Sequence, residues 1–210
     1  MRSLRELETK VRTSINEYIS GDIDLLMRGT DFCVVHGGAV YDSIKGNKIN
    51  DVDIICSNRC VDVLTKNILS LGWKSLGDYS KGNISRSVFT HVLYSKIINC
   101  ESRLIHVIEC DVDHQSEGSS VESTFKEHLR SKFSIYTVSY SHLFGLSEIT
   151  EGSIDDIKMG VFRTDGSSWV GSHLTYRTSY ISPKLVDKGF KNWSTMSDSE
   201  RVQLKLDVIL

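Results

Sequence analysis

Residues 34–55 of this 210-residue chain read VVHGGAVYDSIKGNKINDVDII. A short apolar run leads into two glycines, a short helical pattern and a polar loop, and a second apolar run begins with two aspartates. Because alternate residues of a strand face the same side, Asp51 and Asp53 are predicted to place two carboxylates side by side. Neighbouring like charges repel each other, and a hard cation is the usual remedy.

The Gly37–Gly38 pair indicates related chemistry. A glycine turn at the start of a helix presents backbone N–H groups, which bind phosphate oxygens. A phosphate-binding turn beside paired carboxylates favours metal-assisted phosphoryl or nucleotidyl transfer. Each element also has an ordinary structural role, since aspartates often serve turns at strand ends and glycines often form tight turns.

Bulk composition limits the class of protein. The chain is 40% hydrophobic and 25% charged, with a net charge of −2, so nucleic-acid binding would need a local basic patch. No apolar run approaches the roughly 18 residues of a membrane span, and the charged N-terminus does not resemble a signal peptide. The odd number of cysteines, five, fits free thiols in a reducing compartment. We therefore expect a cytoplasmic protein without a membrane partner.

The spacing within the quoted stretch resembles the head domain of CCA-adding enzymes and bacterial poly(A) polymerases, in the DNA polymerase beta-like nucleotidyltransferase superfamily. That family's pattern is approximately G-G-A-V-R-D-x-x-x-G-x-x-x-x-D-[IV]-D-[IV]. The corresponding residues here are 37–42, Gly46 and 51–54, at the same spacings. A D-x-D pair alone is common, but at this distance from the glycines it is specific. Tyr41 departs from the pattern, because the family has arginine there.

This resemblance implies an α/β (α+β) fold in which helices flank a mixed β-sheet. We expect a nucleotidyltransferase head with N-terminal helices over residues 1–134, and a C-terminal extension over 135–210 that packs on the head and is not an independent domain. The periodicity of the sequence predicts helices over 2–19, 22–28, 39–45, 60–71, 121–133 and 198–210, strands over 32–35, 52–56 and 135–138, and hairpins over 87–112 and 157–170.

The family's mechanism implies Mg²⁺ or Mn²⁺ held by Asp51, Asp53 and a third acid. Glu109 and Asp111 are the candidates for that acid, because both lie near the end of an apolar strand pattern. Glu109 is preferred, since a carboxylate inside an apolar run needs a partner to justify its burial. Asp111 is kept as the other candidate, and it could equally be a solvated charge.

Further residues are candidates for nucleotide binding. The glycines and Asp42 form the turn that would hold the triphosphate, and Asp42 could brace that turn. Lys81 and Arg86, in a polar loop, could contact triphosphate or acceptor, although a solvated loop is the simpler interpretation. A basic and aromatic cluster near the C-terminus could follow a nucleic-acid strand or be an ordinary solvated face, and it comprises Lys184, Lys188, Phe190, Lys191 and Trp193.

The resemblance predicts an ATP-binding or other NTP-binding transferase that moves a nucleoside monophosphate to a hydroxyl acceptor and releases pyrophosphate. The acceptor could be an RNA 3′ end, a protein or a small molecule. No E-D-x-x-R nucleotide-selecting motif follows the head, so CCA addition to tRNA does not carry over. The alternative is a catalytically inactive fold that acts as a nucleotide-binding or protein-interaction module. Tyr41 motivates this alternative, while retention of both aspartates argues against it.

Overall fold

The computed structural model of the chain describes residues 3–78, 89–113, 119–131, 133–164 and 183–209. Its strands are β1 (Cys33–His36), β2 (Val52–Ser57), β3 (Lys74–Asp78), β4 (Phe89–Ile98), β5 (Glu101–Cys110), β6 (Val138–Ser141), β7 (Gly145–Glu148), β8 (Val161–Phe162) and β9 (Lys191–Asn192). Its helices are α1 (Leu4–Ile19), α2 (Ile23–Leu26), α3 (Gly38–Lys45), α4 (Val61–Ser70), α5 (Val121–His128), α6 (Ser153–Met159), α7 (residues 183–187) and α8 (Asp198–Ile209).

Seven strands form one mixed sheet in the order β3-β4-β5-β2-β1-β6-β7. The central pair β2 and β5 is parallel, and the other neighbours in this sheet are antiparallel. The short strands β8 and β9 pair in parallel with each other. The predicted α/β fold with a mixed sheet and flanking helices is confirmed.

The sequence explains the first helix directly. Leu7, Val11 and Ile15 recur at four-residue steps and are buried, so α1 presents one apolar face to the core. Ser3 accepts a hydrogen bond from the backbone N–H of Glu6, and the Glu6 carboxylate accepts one from the backbone of Ser3. This reciprocal cap fixes where α1 begins.

The two faces of the sheet are covered by different elements. The larger core joins α1, α3 and α4 to the face that carries Val35, Ile54 and Val107. A smaller cluster on the other face joins Val34 and Ile55 to α5 and its flanking residues. Directly paired residues of neighbouring strands share a face. The face under α5 is therefore also the face of Asp53, two residues from Ile55.

Two predicted elements of the extension are wrong. Residues 134–137 form a 3₁₀ turn, in which the Thr137 hydroxyl donates to the Ser134 carbonyl at 2.7 Å. Such hydroxyl bonds to the local backbone compete with extended structure. Residues 157–159 belong to α6 rather than to a strand, and among the described residues β8 pairs in parallel with β9. The second half of that predicted hairpin, 165–170, lies outside the described residues.

The main sheet draws on residues from both sides of position 134. Strand β6 lies beside β1, with Val35 opposite Tyr140 and His36 opposite Ser139. The division into residues 1–134 and 135–210 stays a prediction. Across the described ranges, no helix combines the length and apolar character that crossing a membrane requires.

Candidate functional site

The turn between β1 and α3 depends on two glycines with different backbones. Gly37 has φ 69° and ψ −126°, a conformation that L-residues with a side chain avoid. A Cβ atom on Gly37 would also lie 3.2 Å from a Tyr136 ring carbon. Gly38 is the first residue of α3, and among the described residues a Cβ atom there would meet only the Tyr41 hydroxyl, at 3.8 Å. Gly37 is thus required by the fold, whereas Gly38 leaves the start of α3 open.

This difference predicts opposite outcomes for two neighbouring substitutions. Gly37→Ala is expected to lower the free energy of unfolding by about 1–3 kcal/mol, because it forces a disfavoured backbone and a contact with Tyr136. Gly38→Ala, the matched control, is expected to leave stability unchanged or slightly increased, since alanine favours helices. Urea denaturation of both variants measures this. Equal stability of the two would show that the Gly37 conformation is not required.

Asp53 occupies the centre of the candidate site. On β2 its Cα is paired with His36 of β1 on one side and with His106 of β5 on the other. One Asp53 carboxylate oxygen lies 4.0 Å from the position that a Gly37 Cβ would take. The glycine turn and the Asp53 carboxylate are therefore direct neighbours, as the sequence predicted for the two halves of the motif.

Asp51 lies just before β2, and although the residue as a whole is exposed, protein atoms surround part of its carboxylate. Loss of solvent around its carboxylate, together with the negative charge of Asp53, raises the pKa of Asp51. The positive charges of Lys184 and Lys188 oppose that rise. The two aspartates thus interact as like charges.

His106 is a neighbour of Asp53 that the sequence interpretation missed. Its Nδ1 atom lies 3.3 Å from an Asp53 carboxylate oxygen. In the sequence, His106 alternates with Ile108 and Cys110, which is typical of a strand. This pattern does not show that the strand pairs with β2. On the other side, His36 Nε2 lies 3.1 Å from the Leu129 carbonyl, and desolvation of the ring lowers the pKa of His36.

The structure does not bring the predicted third acid to the aspartates. Glu109 is three residues beyond His106 on β5, roughly 10 Å along the strand and on the opposite face. Asp111 lies past the end of β5, where it accepts hydrogen bonds from Asn58 Nδ2 and from the backbone N–H of Asp113. The structure therefore does not group either acid with Asp51 and Asp53, and a metal-binding role for Glu109 or Asp111 stays a prediction. The cause is the β2–β5 register, which places His106 beside Asp53.

The carboxylates proposed as metal ligands near the glycine turn are those of Asp51 and Asp53. The described residues hold no group of three or more His, Cys, Asp and Glu side chains that could bind a metal ion. Mg²⁺ in nucleotide enzymes is commonly bound by one or two carboxylates, with substrate phosphates and water completing its octahedron. Asp51 and Asp53 fit that requirement, whereas a site built entirely from protein ligands does not form here.

Asp42 lies one turn into α3, and its side chain is only 2% exposed. Its carboxylate accepts a hydrogen bond from Lys188 Nζ at 2.5 Å, and the same ammonium group donates to the Tyr41 hydroxyl at 3.2 Å. Burial raises the pKa of Tyr41 to about 12, so this phenol stays protonated at neutral pH. This arrangement favours the bracing role for Asp42, and its contact with a nucleotide stays a prediction.

The remaining predicted residues do not form one surface. Lys81 and Arg86 lie outside the described residues. Within the basic and aromatic cluster, Phe190 is buried and cannot stack on a base, and Lys188 is paired with Asp42. Trp193 has the Arg163 guanidinium 4.9 Å from its ring centre. A continuous nucleic-acid strip along the cluster is therefore not present.

Solved structures of known enzymes share this architecture. A CCA-adding enzyme with ATP matches 99% of this chain and 45% of its own at 20% identity, with a TM-score of 0.56. The Thermotoga maritima CCA-adding enzyme complexed with tRNA matches 98% and 45% at 19% identity, with a TM-score of 0.52. A CCA-adding enzyme with CTP matches 78% and 37% at 20% identity, with a TM-score of 0.50.

The chain spans less than half the length of these enzymes. No protein-family model matches it, and no curated protein matches it in sequence. At about 20% identity the likeness establishes the fold alone. The resemblance that residues 37–54 carry is confirmed at this level, and the chain has the nucleotidyltransferase-like fold of the CCA-adding enzymes.

Proposed function

We propose that this protein is a metal-dependent nucleotidyltransferase that moves a nucleoside monophosphate from a nucleoside triphosphate to a hydroxyl acceptor. The observation that carries the proposal is the position of the Asp53 carboxylate, 4.0 Å from where a Gly37 Cβ atom would lie, with Asp51 interacting with Asp53 as a like charge. The fold supports it, because similar structures include complexes with ATP and with CTP.

In the proposed reaction the acceptor hydroxyl forms a bond to the α-phosphorus, and the bond to pyrophosphate breaks. The hydroxyl proton passes to solvent. The N–H groups at the start of α3 orient the phosphates, and Asp51 and Asp53 would hold Mg²⁺ or Mn²⁺. A metal ion bound there would supply Lewis-acid stabilisation of the charge that develops on the phosphate oxygens.

The acceptor we favour is an RNA 3′ end, because one of the structurally similar enzymes is complexed with tRNA. A protein hydroxyl and a small-molecule hydroxyl are the other candidates. We place the protein in the cytoplasm, since all five cysteines are free and four of them are buried.

The experiment is incubation of the purified chain with each α-labelled triphosphate, Mg²⁺ or Mn²⁺, and separate RNA, protein and small-molecule acceptor pools. We expect pyrophosphate release together with label on one acceptor pool. Label that appears on RNA with only one of the triphosphates would identify both the nucleotide substrate and the acceptor. Absence of pyrophosphate release under every combination would overturn the proposal.

A second candidate, a nucleotide-binding module without activity, is favoured by one observation. His106 lies beside Asp53, and neither acid that the family resemblance predicted as a third metal ligand does. Triphosphate binding measured by calorimetry, without pyrophosphate release, would be the result that selects this candidate.

A further inference from the structure

The C-terminal segment formed by residues 183–190 packs against the first turn of α3. Leu185 and Phe190 are buried, and the Phe190 ring meets the Tyr41 ring edge-on, with 5.5 Å between their centres. Tyr41 follows the glycine turn by three residues. The segment is therefore held directly behind the turn to which we assign phosphate binding.

Lys188 joins this segment to α3 by charge. Its ammonium group contacts the Asp42 carboxylate and the Tyr41 hydroxyl, and it lies 4.8 Å from the centre of the Tyr41 ring. The Asp42 side chain is 2% exposed and that of Lys188 19% exposed. A buried carboxylate is costly without a cation. This pair therefore fixes the position of the segment relative to the glycine turn.

Lys184 lies one helical turn before Lys188, whose backbone N–H lies 3.3 Å from the Lys184 carbonyl. Residues four apart on a helix project from the same face. The anchoring of Lys188 on Asp42 thus directs Lys184 to the side of the candidate site. Lys184 is exposed, and no carboxylate among the described residues forms an ion pair with it.

The geometry of the anchor agrees with this placement. The Tyr41 hydroxyl, which accepts a hydrogen bond from Lys188, lies 3.8 Å from the position that a Cβ atom on Gly38 would take. The segment is therefore anchored beside the start of α3, and Lys184 lies one helical turn from that anchor.

We propose that the segment 183–190 completes the nucleotide site, with Lys184 contacting the polyphosphate of a nucleoside triphosphate and Lys188 acting as a positioning residue. The inference rests on the proposed function, because it takes the triphosphate as ligand. An ammonium group on a flexible stem is a common phosphate ligand. It would face the N–H groups of the glycine turn across the bound phosphates.

Calorimetric titration of ATP and CTP with Mg²⁺ tests the contact. Lys184→Met is expected to weaken triphosphate binding about tenfold, the usual effect of losing one hydrogen bond to a charged group. Lys184→Arg is expected to retain most of the affinity. The matched control is Lys191→Met, which removes an exposed lysine of the neighbouring strand β9 and should bind as the wild-type chain does. In the transfer assay, Lys184→Met should raise KM and leave kcat nearly unchanged.

A double variant tests the positioning role without leaving a buried charge. Lys188→Met with Asp42→Asn replaces the ion pair by neutral side chains of similar size, so the fold is expected to persist. Triphosphate affinity should still fall, because α7 is no longer tied to α3 by charge. A folded double variant with wild-type affinity would overturn the role of Lys188.

The outcomes separate this inference from the proposed function. A wild-type chain that binds no triphosphate overturns both. A wild-type chain that binds triphosphate, with Lys184→Met indistinguishable from Lys191→Met, overturns the inference and leaves the proposed function standing.

Discussion

An Asp53→Asn variant is expected to release pyrophosphate about a thousandfold more slowly than the wild-type chain under the conditions that support transfer. The amide keeps the shape of the side chain and removes the charge that would hold the metal ion. Metal stabilisation of the transition state contributes several kcal/mol, and about 1.4 kcal/mol corresponds to a factor of ten in rate. Asp53 is the carboxylate that lies beside the glycine turn.

The measurement is initial-rate pyrophosphate release, with protein concentration corrected for the folded fraction. Asp62→Asn is the matched control, because Asp62 is exposed on α4 and outside the site. It should retain wild-type activity. Transfer that survives Asp51→Asn combined with Asp53→Asn would contradict the assignment of these two residues.

Asp51→Asn removes a proposed metal ligand and is expected to lower activity. It is not expected to lower the free energy of unfolding. The pKa of Asp51 is raised in the folded chain, first by loss of solvent and then by Asp53. The folded state therefore holds that proton to higher pH than the unfolded state, and stability falls as the pH rises through this range. The asparagine variant has no carboxylate to ionise at this position, so it does not lose this stability as the pH rises. Without metal at pH 7, its free energy of unfolding is expected to equal or exceed that of the wild-type chain.

Local patterns in the sequence were sufficient for the parts of the fold that depend on neighbouring residues. The glycine turn, α3 and β2 all follow from the spacing of residues 37–54, and four-residue apolar steps predict α1. These elements are determined by backbone freedom and by periodicity, and both can be read from a short window.

The third acid could not be predicted in the same way. The choice of Glu109 required the register of β5 against β2, which joins residues 53 positions apart. A shift of register reverses the face on which every side chain lies. The sequence pattern of residues 103–110 does not show which alternate side chains of β5 lie on the same face as Asp53. The sequence therefore indicated that a strand carries acids near its end, but not that His106 is the residue beside Asp53.

The contact between Asp42 and Lys188 also could not be predicted from local sequence patterns, because it joins residues even farther apart in the chain. These residues are 146 positions apart, and the cation beside Asp42 comes from the C-terminal segment, whereas the family pattern has an arginine at position 41. Tyr41 at that position suggested a lost function in the sequence. In the structure its hydroxyl and its ring both contact Lys188, so a positive charge is present at this turn.

A Lys188→Met variant is expected to lose about 3–5 kcal/mol of unfolding free energy, the usual cost of removing one partner from a buried ion pair. The Asp42 carboxylate would be left 2% exposed without its cation, with Asn47 Nδ2 at 3.4 Å as a weak remaining donor. Lys188→Arg should lose less, because the charge is retained. Urea denaturation of each variant gives the values.

The double variant Lys188→Met with Asp42→Asn distinguishes a charge effect from a packing effect. If the cost arises from an unpaired buried charge, removing that charge should restore most of the lost stability. If the contact is instead stabilised by packing of the Lys188 methylene groups on Tyr41, Lys188→Met should lower the free energy of unfolding only slightly. In that case the double variant should be no more stable than the single variant. A single variant with wild-type stability would contradict the ion pair itself, and the buried side chains of Leu185 and Phe190 would then account for the packing of this segment.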